Sequence, residues 1–327
     1  MNNRRKLLVA LGASALTASF GSFAQQQGKV LRVGFLSSGP GITPVLERFR
    51  LELGELGYVE GQNIAIEWRF AKGNADLLPK LATELVGLKV DCLVTNGANA
   101  TIAARLATHT LPIVMGNSDD DPVRLGLIAS LARPGGNVTG FTSISSELSG
   151  KRLQLLKETL PKLSRAAILF DPDSRPASAH IRATEAAARK LGVQLQSLEV
   201  RDPEVLEQAF QAAGKGHAQA LIVVSGGLIS NLQVRIVTLA NNSRLPAMYT
   251  SRASVLLGGL MRYGADPIDQ WRRVAGYIDR ILKGAKPADL PVQQPAKFEF
   301  IINLKAAKQI GLTIPPGVIA QAEKVIE

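Results

Sequence analysis

Ser225 is the residue best placed to act as a nucleophile, because it directly follows the apolar run 221–224. A hydrolase of the G-x-S-x-G class presents its serine on a sharp turn between a strand and a helix. Val223 stands where that pattern requires its first glycine. His109, His180 and His217 fall at predicted helix ends or in loops without matched partners, and we interpret them as solvated. The sequence therefore predicts no catalytic residues and no enzyme.

Metal and cofactor chemistry also lacks a complete motif. Three consecutive carboxylates at 119–121 cannot all face one ion, and they lack the ligand spacing of an EF-hand. The loop 37–41 contains neither G-x-G-x-x-G nor the Gly-Lys-Ser/Thr of a P-loop. Cys92 is the single cysteine, so neither an internal disulfide nor a cysteine zinc cluster can form. We predict no metal and no cofactor.

Small polar residues instead gather where predicted strands end. In open parallel sheets, ligands bind beyond the carboxyl ends of the strands, where helix N-termini present free N–H groups. Such endings in both halves of the chain favour a cleft between two lobes, which is typical of a binding protein. The residues at these positions are Ser37, Ser38, Asn96, Gly97, Asn99, Asn117, Ser118, Asp121, Ser225, Gly226 and Ser251.

The elements that must position these residues alternate regularly. Apolar runs of buried-strand length, such as 30–36, 92–95 and 166–170, are followed by segments with helical periodicity. This order predicts an α/β fold with parallel sheets and right-handed crossovers. Thr43 before Pro44 and Asp266 before Pro267 are predicted helix N-caps with proline in the first turn.

The stretch 121–140 is predicted to connect the two halves. It contains an Asp-Pro turn, an apolar segment of helix length at 125–131, and a Pro-Gly-Gly corner. We interpret 125–131 as a short packed helix and 134–140 as the start of a segment that crosses between the lobes.

The N-terminus has the features of an export signal, and the length of 327 residues suits two domains. Arg4, Arg5 and Lys6 precede the apolar run 7–20, and small residues before Gln25 form a cleavage site. We predict a signal peptide at 1–24; an uncleaved anchor is the alternative, and Sec or Tat export stays open. Cleavage after about Ala24 removes three basic residues and lowers the formal net charge from +11 to +8.

The excess of basic over acidic residues does not indicate a nucleic-acid partner. Lysine and arginine are scattered, with no run of five or more and no aromatic interleaving. A solvated surface is the better interpretation, and we predict no nucleic-acid partner.

Several motifs resemble the ABC-transporter substrate-binding family that includes tryptophan/tyrosine-binding proteins, and the resemblance covers nearly all of the mature chain. They are Leu53-x-x-Leu56-Gly57-Tyr58, Glu60-Gly61-Gln62-Asn63-Ile64, Asp121-Pro122-Val123, Arg133-Pro134-Gly135-Gly136-Asn137-Val138-Thr139-Gly140, Gly150-Lys151-Arg152-Leu153, Leu282-Lys283-Gly284 and Gly311-Leu312-Thr313-Ile314-Pro315-Pro316.

The resemblance implies two Rossmann-like lobes with parallel sheets, joined by a three-segment hinge, in the periplasmic binding protein type I fold. By this reasoning lobe 1 comprises 28–141 and 256–291, and lobe 2 comprises 142–255 and 292–327. It also implies a periplasmic monomer that delivers a small molecule to an ABC permease in the inner membrane. A sensor that docks on a receptor and an exported α/β enzyme are the alternatives.

By position, the resemblance assigns ligand binding to one loop after each of several strands. These residues are Ser37, Ser38, Gly97, Asn99, Asp121, Asp171, Ser225, Gly226, Tyr249 and Ser251. Amino-acid-binding members are expected to carry acidic residues in the last two loops, to pair with a substrate ammonium. Neither 225–228 nor 251–253 contains an acid, whereas Arg252 favours an anion. We therefore expect a neutral ligand or a small carboxylate, with aromatic carboxylates included.

Overall fold

Buried apolar runs form the strands of two separate sheets. The computed structural model describes residues 30–118 and 120–327, so the predicted signal peptide lies outside the described residues. The strands are β1 (Leu31–Ser37), β2 (Ile64–Phe70), β3 (Cys92–Asn96), β4 (Ile113–Asn117), β5 (Val138–Gly140), β6 (Arg165–Phe170), β7 (Gln194–Glu199), β8 (Ala220–Val223), β9 (Ala247–Tyr249), β10 (Met261–Ala265), β11 (Phe298–Asn303) and β12 (Lys324–Ile326).

The helices lie between these strands. They are α1 (Pro44–Glu55), α2 (Leu78–Gly87), α3 (Ala98–Ala107), α4 (Ser149–Thr159), α5 (Ala177–Leu191), α6 (Leu206–Lys215), α7 (Gly227–Asn231), α8 (Gln233–Asn242), α9 (Arg252–Leu256), α10 (Pro267–Leu282), α11 (Leu304–Gln309) and α12 (Pro316–Ile319). Within the described residues, no helix is both long and apolar enough to cross a membrane.

The first sheet has the order β2-β1-β3-β4-β5 and is parallel throughout. The second has the order β12-β11-β10-β9-β8-β6-β7, with the β10–β11 pair antiparallel. Each sheet separates two buried apolar clusters, one on each face, so helices cover both sides. The predicted α/β fold with two lobes is confirmed.

Helix α10 belongs to the first lobe although it follows a strand of the second. Its Trp271 ring lies 5.6 Å from Phe35 and 5.5 Å from Phe49, between centroids. The predicted N-caps are confirmed, since the Asp266 carboxylate accepts from the Ile268 N–H and the Thr43 hydroxyl accepts from the Leu46 N–H.

Three segments connect the lobes, and hydrogen bonds join them. The Thr142 N–H donates to the Gln293 carbonyl (3.0 Å), and the Gln293 N–H donates to the Gly140 carbonyl (2.9 Å). The Asp266 N–H donates to the Lys297 carbonyl (2.9 Å). Because main-chain bonds join all three, the crossing segments form one hinge.

Two details of the predicted organisation differ from the structure. Residues 261–265, expected in lobe 1, form β10 of the second sheet, because they pair with β9 and β11. The apolar segment 125–131 is a series of turns and bends and not a helix. Gly126 has a positive φ of 67°, which interrupts helical geometry there.

Candidate functional site

A cleft of about 1090 Å³ lies between the lobes, at the carboxyl ends of strands from both sheets. Eight of the ten predicted ligand-binding residues line it: Ser37, Ser38, Gly97, Asn99, Asp171, Ser225, Gly226 and Ser251. They come from loops after β1, β3, β6, β8 and β9, so the two sheets bring together residues more than 200 positions apart in the chain.

Two of the predicted residues lie elsewhere. Tyr249 is fully buried in the apolar cluster behind β9, because its position in the strand directs the ring away from the cleft. Asp121 is exposed in a turn, where its carboxylate accepts a hydrogen bond from the Val123 N–H (2.9 Å). Neither residue lines the cleft, which corrects their predicted placement.

The lobe 1 wall is polar and uncharged at the strand ends. The Ser37 hydroxyl accepts from the Gly39 N–H (3.0 Å) and from the Asn96 amide (3.4 Å). Gly97 is the N-cap of α3 and has a φ of 99°, which favours glycine. The first turn of α3, whose N–H groups have no partner within the helix, therefore starts at the cleft.

The lobe 2 wall carries Asp171 and Ser225. The Asp171 carboxylate accepts from the Asp173 N–H (2.9 Å) and the Leu228 N–H (3.2 Å). A Cβ at Gly227 would lie 2.8 Å from the same carboxylate, so glycine allows this close approach. The Ser225 hydroxyl is buried and has no hydrogen-bond partner among the described residues.

Two buried arginines, Arg152 and Arg262, line the cleft near the hinge and were not predicted as site residues. Arg152 donates to the carbonyls of Tyr263 (2.8 Å) and Ser145 (2.7 Å). These bonds tie α4 to β10 and to the first crossing segment. The sequence analysis identified the motif that contains Arg152, but it did not predict that the Arg152 side chain is buried.

Arg262 is bound to the second sheet by ionic and main-chain contacts. Its guanidinium contacts the Glu299 carboxylate and donates to the Thr250 carbonyl (3.3 Å). Burial lowers the pKa of Arg262 to about 10, and the nearby Glu299 opposes that shift. Arg262 therefore stays charged at neutral pH and positions the strand ends.

Arg252 is a partly exposed cation that lines the cleft. Its side chain is 17% exposed, and its Nη1 lies 3.2 Å from Glu299 Oε2 and 3.8 Å from Asp266 Oδ1. Its Nε and Nη2 make no hydrogen bond within the part of the chain that the structure describes. Burial raises the pKa of Glu299, and Arg262 and Arg252 oppose that rise. Arg252 can therefore keep its carboxylate neighbours and still bind an anion.

The lips of the cleft touch on the side away from the hinge. The Asn231 amide at the end of α7 donates to the Lys72 carbonyl in the loop after β2 (2.8 Å). Gly73, with a φ of 85°, packs directly beneath this amide. This contact joins lobe 1 to lobe 2 across the cleft.

The described residues contain no group of three histidine, cysteine or acidic side chains that could hold a metal ion. The cysteine thiol of Cys92 is buried in the first sheet, and burial raises its pKa to about 12. At neutral pH the thiol is protonated and packs as a small apolar group.

Comparisons with known proteins agree with this architecture. The family described as "ABC transporter substrate binding protein" matches residues 32–326. A protein of Clostridioides difficile (strain R20291) named "Tyrosine-binding protein" is 25% identical over 284 residues, which span 87% of this chain and 81% of that protein.

Two crystal structures are similar along nearly their whole length. A conserved domain protein from Vibrio cholerae has a TM-score of 0.83 and 27% identity, covering 91% of this chain and 100% of that one. An ABC domain from Streptococcus pneumoniae in complex with L-Trp has a TM-score of 0.81 and 25% identity, covering 90% of this chain and 99% of that one.

Proposed function

We propose, from the premise that this chain belongs to the ABC transporter substrate binding protein family, that it captures a small carboxylate-bearing molecule between its lobes and delivers it to an ABC permease. The family resemblance predicted from the sequence motifs is confirmed by this match. The family is one of solute-binding proteins, in which binding energy drives lobe closure and no chemical step is required.

One observation carries the proposal: strand ends from both sheets face a single cleft whose lips touch. Ser37 and Gly97 belong to one wall, and Asp171 and Ser225 to the other. A ligand held between them contacts both lobes at once, so its binding favours the closed arrangement over an open one.

Arg252 supports a carboxylate as the part of the ligand that the cleft recognises. A guanidinium with free donors binds a carboxylate in a bidentate manner. The relatives named for tyrosine and solved with L-Trp have ligands that carry a carboxylate. The last two loops of lobe 2 contain no acid to pair with an ammonium, and each carboxylate oxygen of Asp171 already accepts one backbone N–H. On the composition of these two loops, we propose a ligand that has a carboxylate without an α-ammonium.

Thermal unfolding of residues 25–327 with a panel of carboxylates and amino acids tests the proposal. A ligand at one hundred times its dissociation constant should stabilise the folded state by about 2.7 kcal/mol. Arg252→Ala should weaken binding by roughly 10- to 100-fold, because hydrogen bonds to a charged group contribute about 1.5–3 kcal/mol.

Arg235→Ala is the matched control, since Arg235 is an exposed cation on α8 paired with Glu207 and outside the cleft. Its binding should equal that of the wild type. Tight binding of tryptophan or tyrosine with no response to simple carboxylates would contradict the proposed ligand class. Unchanged affinity in Arg252→Ala would contradict the assigned role of Arg252.

Export and delivery complete the proposal. The basic, apolar and small-residue segments within 1–24 support removal of a signal peptide and a periplasmic location. We propose that the mature chain acts there as a monomer.

A further inference from the structure

Three large aliphatic side chains are left exposed where they line the cleft. Leu256 is 56% exposed, Leu257 is 49% exposed and Ile268 is 36% exposed. Leu256 is the last residue of α9 in the second lobe and Leu257 is its C-cap, whereas Ile268 lies in the first turn of α10 in the first lobe. An apolar surface shared by both walls of a binding cleft indicates contact with an apolar part of the ligand.

This apolar surface lies next to the cation of the cleft. Leu256 follows Arg252 by four residues, so both project from the same face of α9. The Asp266 carboxylate lies 3.8 Å from Arg252 Nη1 and also accepts from the Ile268 N–H (2.9 Å). The Arg252 guanidinium therefore lies close to Asp266, the N-cap of α10, and so close to the start of the helix that carries Ile268.

The cleft walls are aliphatic and not aromatic. Among the described residues, no phenylalanine, tyrosine, tryptophan or histidine lines the cleft. The apolar lining residues include Pro44 and Val45 at the start of α1 and Pro267 beside Ile268. No ring is therefore available to stack on an aromatic ligand, whereas branched side chains pack well around a flexible chain.

The size of the cleft leaves room beyond a carboxylate. Its volume of about 1090 Å³ slightly exceeds the range of roughly 300–1,000 Å³ for small-molecule sites. A ligand no larger than a short carboxylate would leave the leucines in contact with water.

We propose that the cleft selects an aliphatic monocarboxylate, with its carboxylate on Arg252 and its hydrocarbon chain between Leu256, Leu257 and Ile268. The inference rests on the proposed function and specifies its ligand class. The carboxylate fixes one end of the molecule, and the chain fills the space between the lobes.

Calorimetric titration of residues 25–327 with straight-chain alkanoates from butanoate to decanoate tests this inference. Each added methylene should tighten binding by roughly fourfold until the cleft is full, because burial of a CH₂ contributes about 0.8 kcal/mol. Leu256→Ser and Ile268→Ser should each reduce the gain per methylene while the chain still folds, since both side chains are exposed at the surface of the cleft.

Leu106→Ser is the matched control, because Leu106 is 73% exposed on α3 and does not line the cleft. It should leave every alkanoate affinity unchanged. Phenylalanine, tyrosine and benzoate serve as aromatic probes and should bind more weakly than octanoate.

The outcomes separate the inference from the function on which it rests. Arg252-dependent carboxylate binding with no effect of chain length, or with tighter binding of the aromatic probes, would overturn the aliphatic site alone. Failure of every carboxylate and amino acid to bind would overturn the proposed function as well. If affinity rises equally with alkanoate length in the wild type and in both serine variants, the hydrocarbon chain of the ligand does not contact this apolar surface, and the inference is overturned.

Discussion

His180 is a buried histidine whose surroundings hold it in the neutral form. It lies on α5 against α4, with Nδ1 2.9 Å from the Ser149 hydroxyl. Burial, together with the nearby Arg152 cation, lowers the pKa of His180 to about 3. The interpretation of this residue as solvated was wrong, because the packing of α4 on α5 closes over the ring.

This buried ring should make stability depend on pH. The folded-state pKa of about 3 lies below the ordinary value of 6.5. Between these values the unfolded state binds one more proton, so the free energy of unfolding rises with pH. The slope contributed is at most about 1.4 kcal/mol per pH unit. Urea unfolding between pH 4 and 6.5 should show a smaller slope for His180→Asn than for the wild type.

His217→Asn provides the control, since His217 lies in the turn after α6 and outside this contact. The pH slope of its free energy of unfolding should be closer to the wild-type slope than that of His180→Asn. An identical slope in wild type and His180→Asn would show that other groups cause the pH dependence.

At the scale of elements, β5 is held close to β4 by a glycine. Gly140 has a φ of 126°, and a Cβ there would lie 2.2 Å from the Met115 carbonyl oxygen. The next residue, Phe141, donates its N–H to that carbonyl (2.8 Å). Gly140 therefore allows the chain to pair along β4 and then turn into the first crossing segment.

Gly140→Ala should be strongly destabilising. The methyl group would collide with backbone atoms that cannot rotate away, and the positive φ adds strain. We expect the free energy of unfolding to fall by roughly 2–4 kcal/mol in urea titrations.

Gly54→Ala in α1 is the matched control, because a Cβ there would meet nothing within 4 Å. Alanine is the better helix former by about 0.5–1 kcal/mol, so this variant should be more stable than the wild type. Equal stability of Gly140→Ala and the wild type would refute the steric role of Gly140.

At the scale of the whole molecule, the hinge and the lip contact bracket the cleft. The crossing segments bond to each other on one side, and Asn231 bonds to the Lys72 carbonyl on the other. The backbone at Lys72 and Gly73 has positive φ values of 51° and 85°, which turns this loop toward lobe 2. The lip contact is available only when the lobes are closed around the cleft.

Asn231→Ala should weaken ligand binding although Asn231 does not line the cleft, because the substitution removes the hydrogen bond between the lips. Loss of one neutral hydrogen bond costs about 0.5–1.5 kcal/mol, which corresponds to roughly 2- to 10-fold in affinity. Small-angle scattering of the subsaturated protein should also show a larger radius of gyration than for the wild type. Asn242→Ala, at the exposed end of α8, should change neither quantity; equal behaviour of the two variants would exclude a closing role for Asn231.

Local pattern was enough to predict most of the order of strands and helices, although the helix predicted at 125–131 is absent. Apolar runs and N-cap residues such as Thr43 and Asp266 depend on near neighbours in the chain. Eight of the ten predicted ligand-binding residues line the cleft because the carboxyl ends of parallel strands meet at one edge of each sheet.

Long-range packing decided the rest. Three features depend on segments far apart in sequence. They are the side of β9 that Tyr249 occupies, the burial of Arg152 and His180, and the pairing of β10 in the second sheet. The sequence by itself determined the α/β elements, the family and the loops that form a binding cleft. Only the tertiary structure decided which side chains enter that cleft, because direction and burial arise when both sheets and the hinge are packed together.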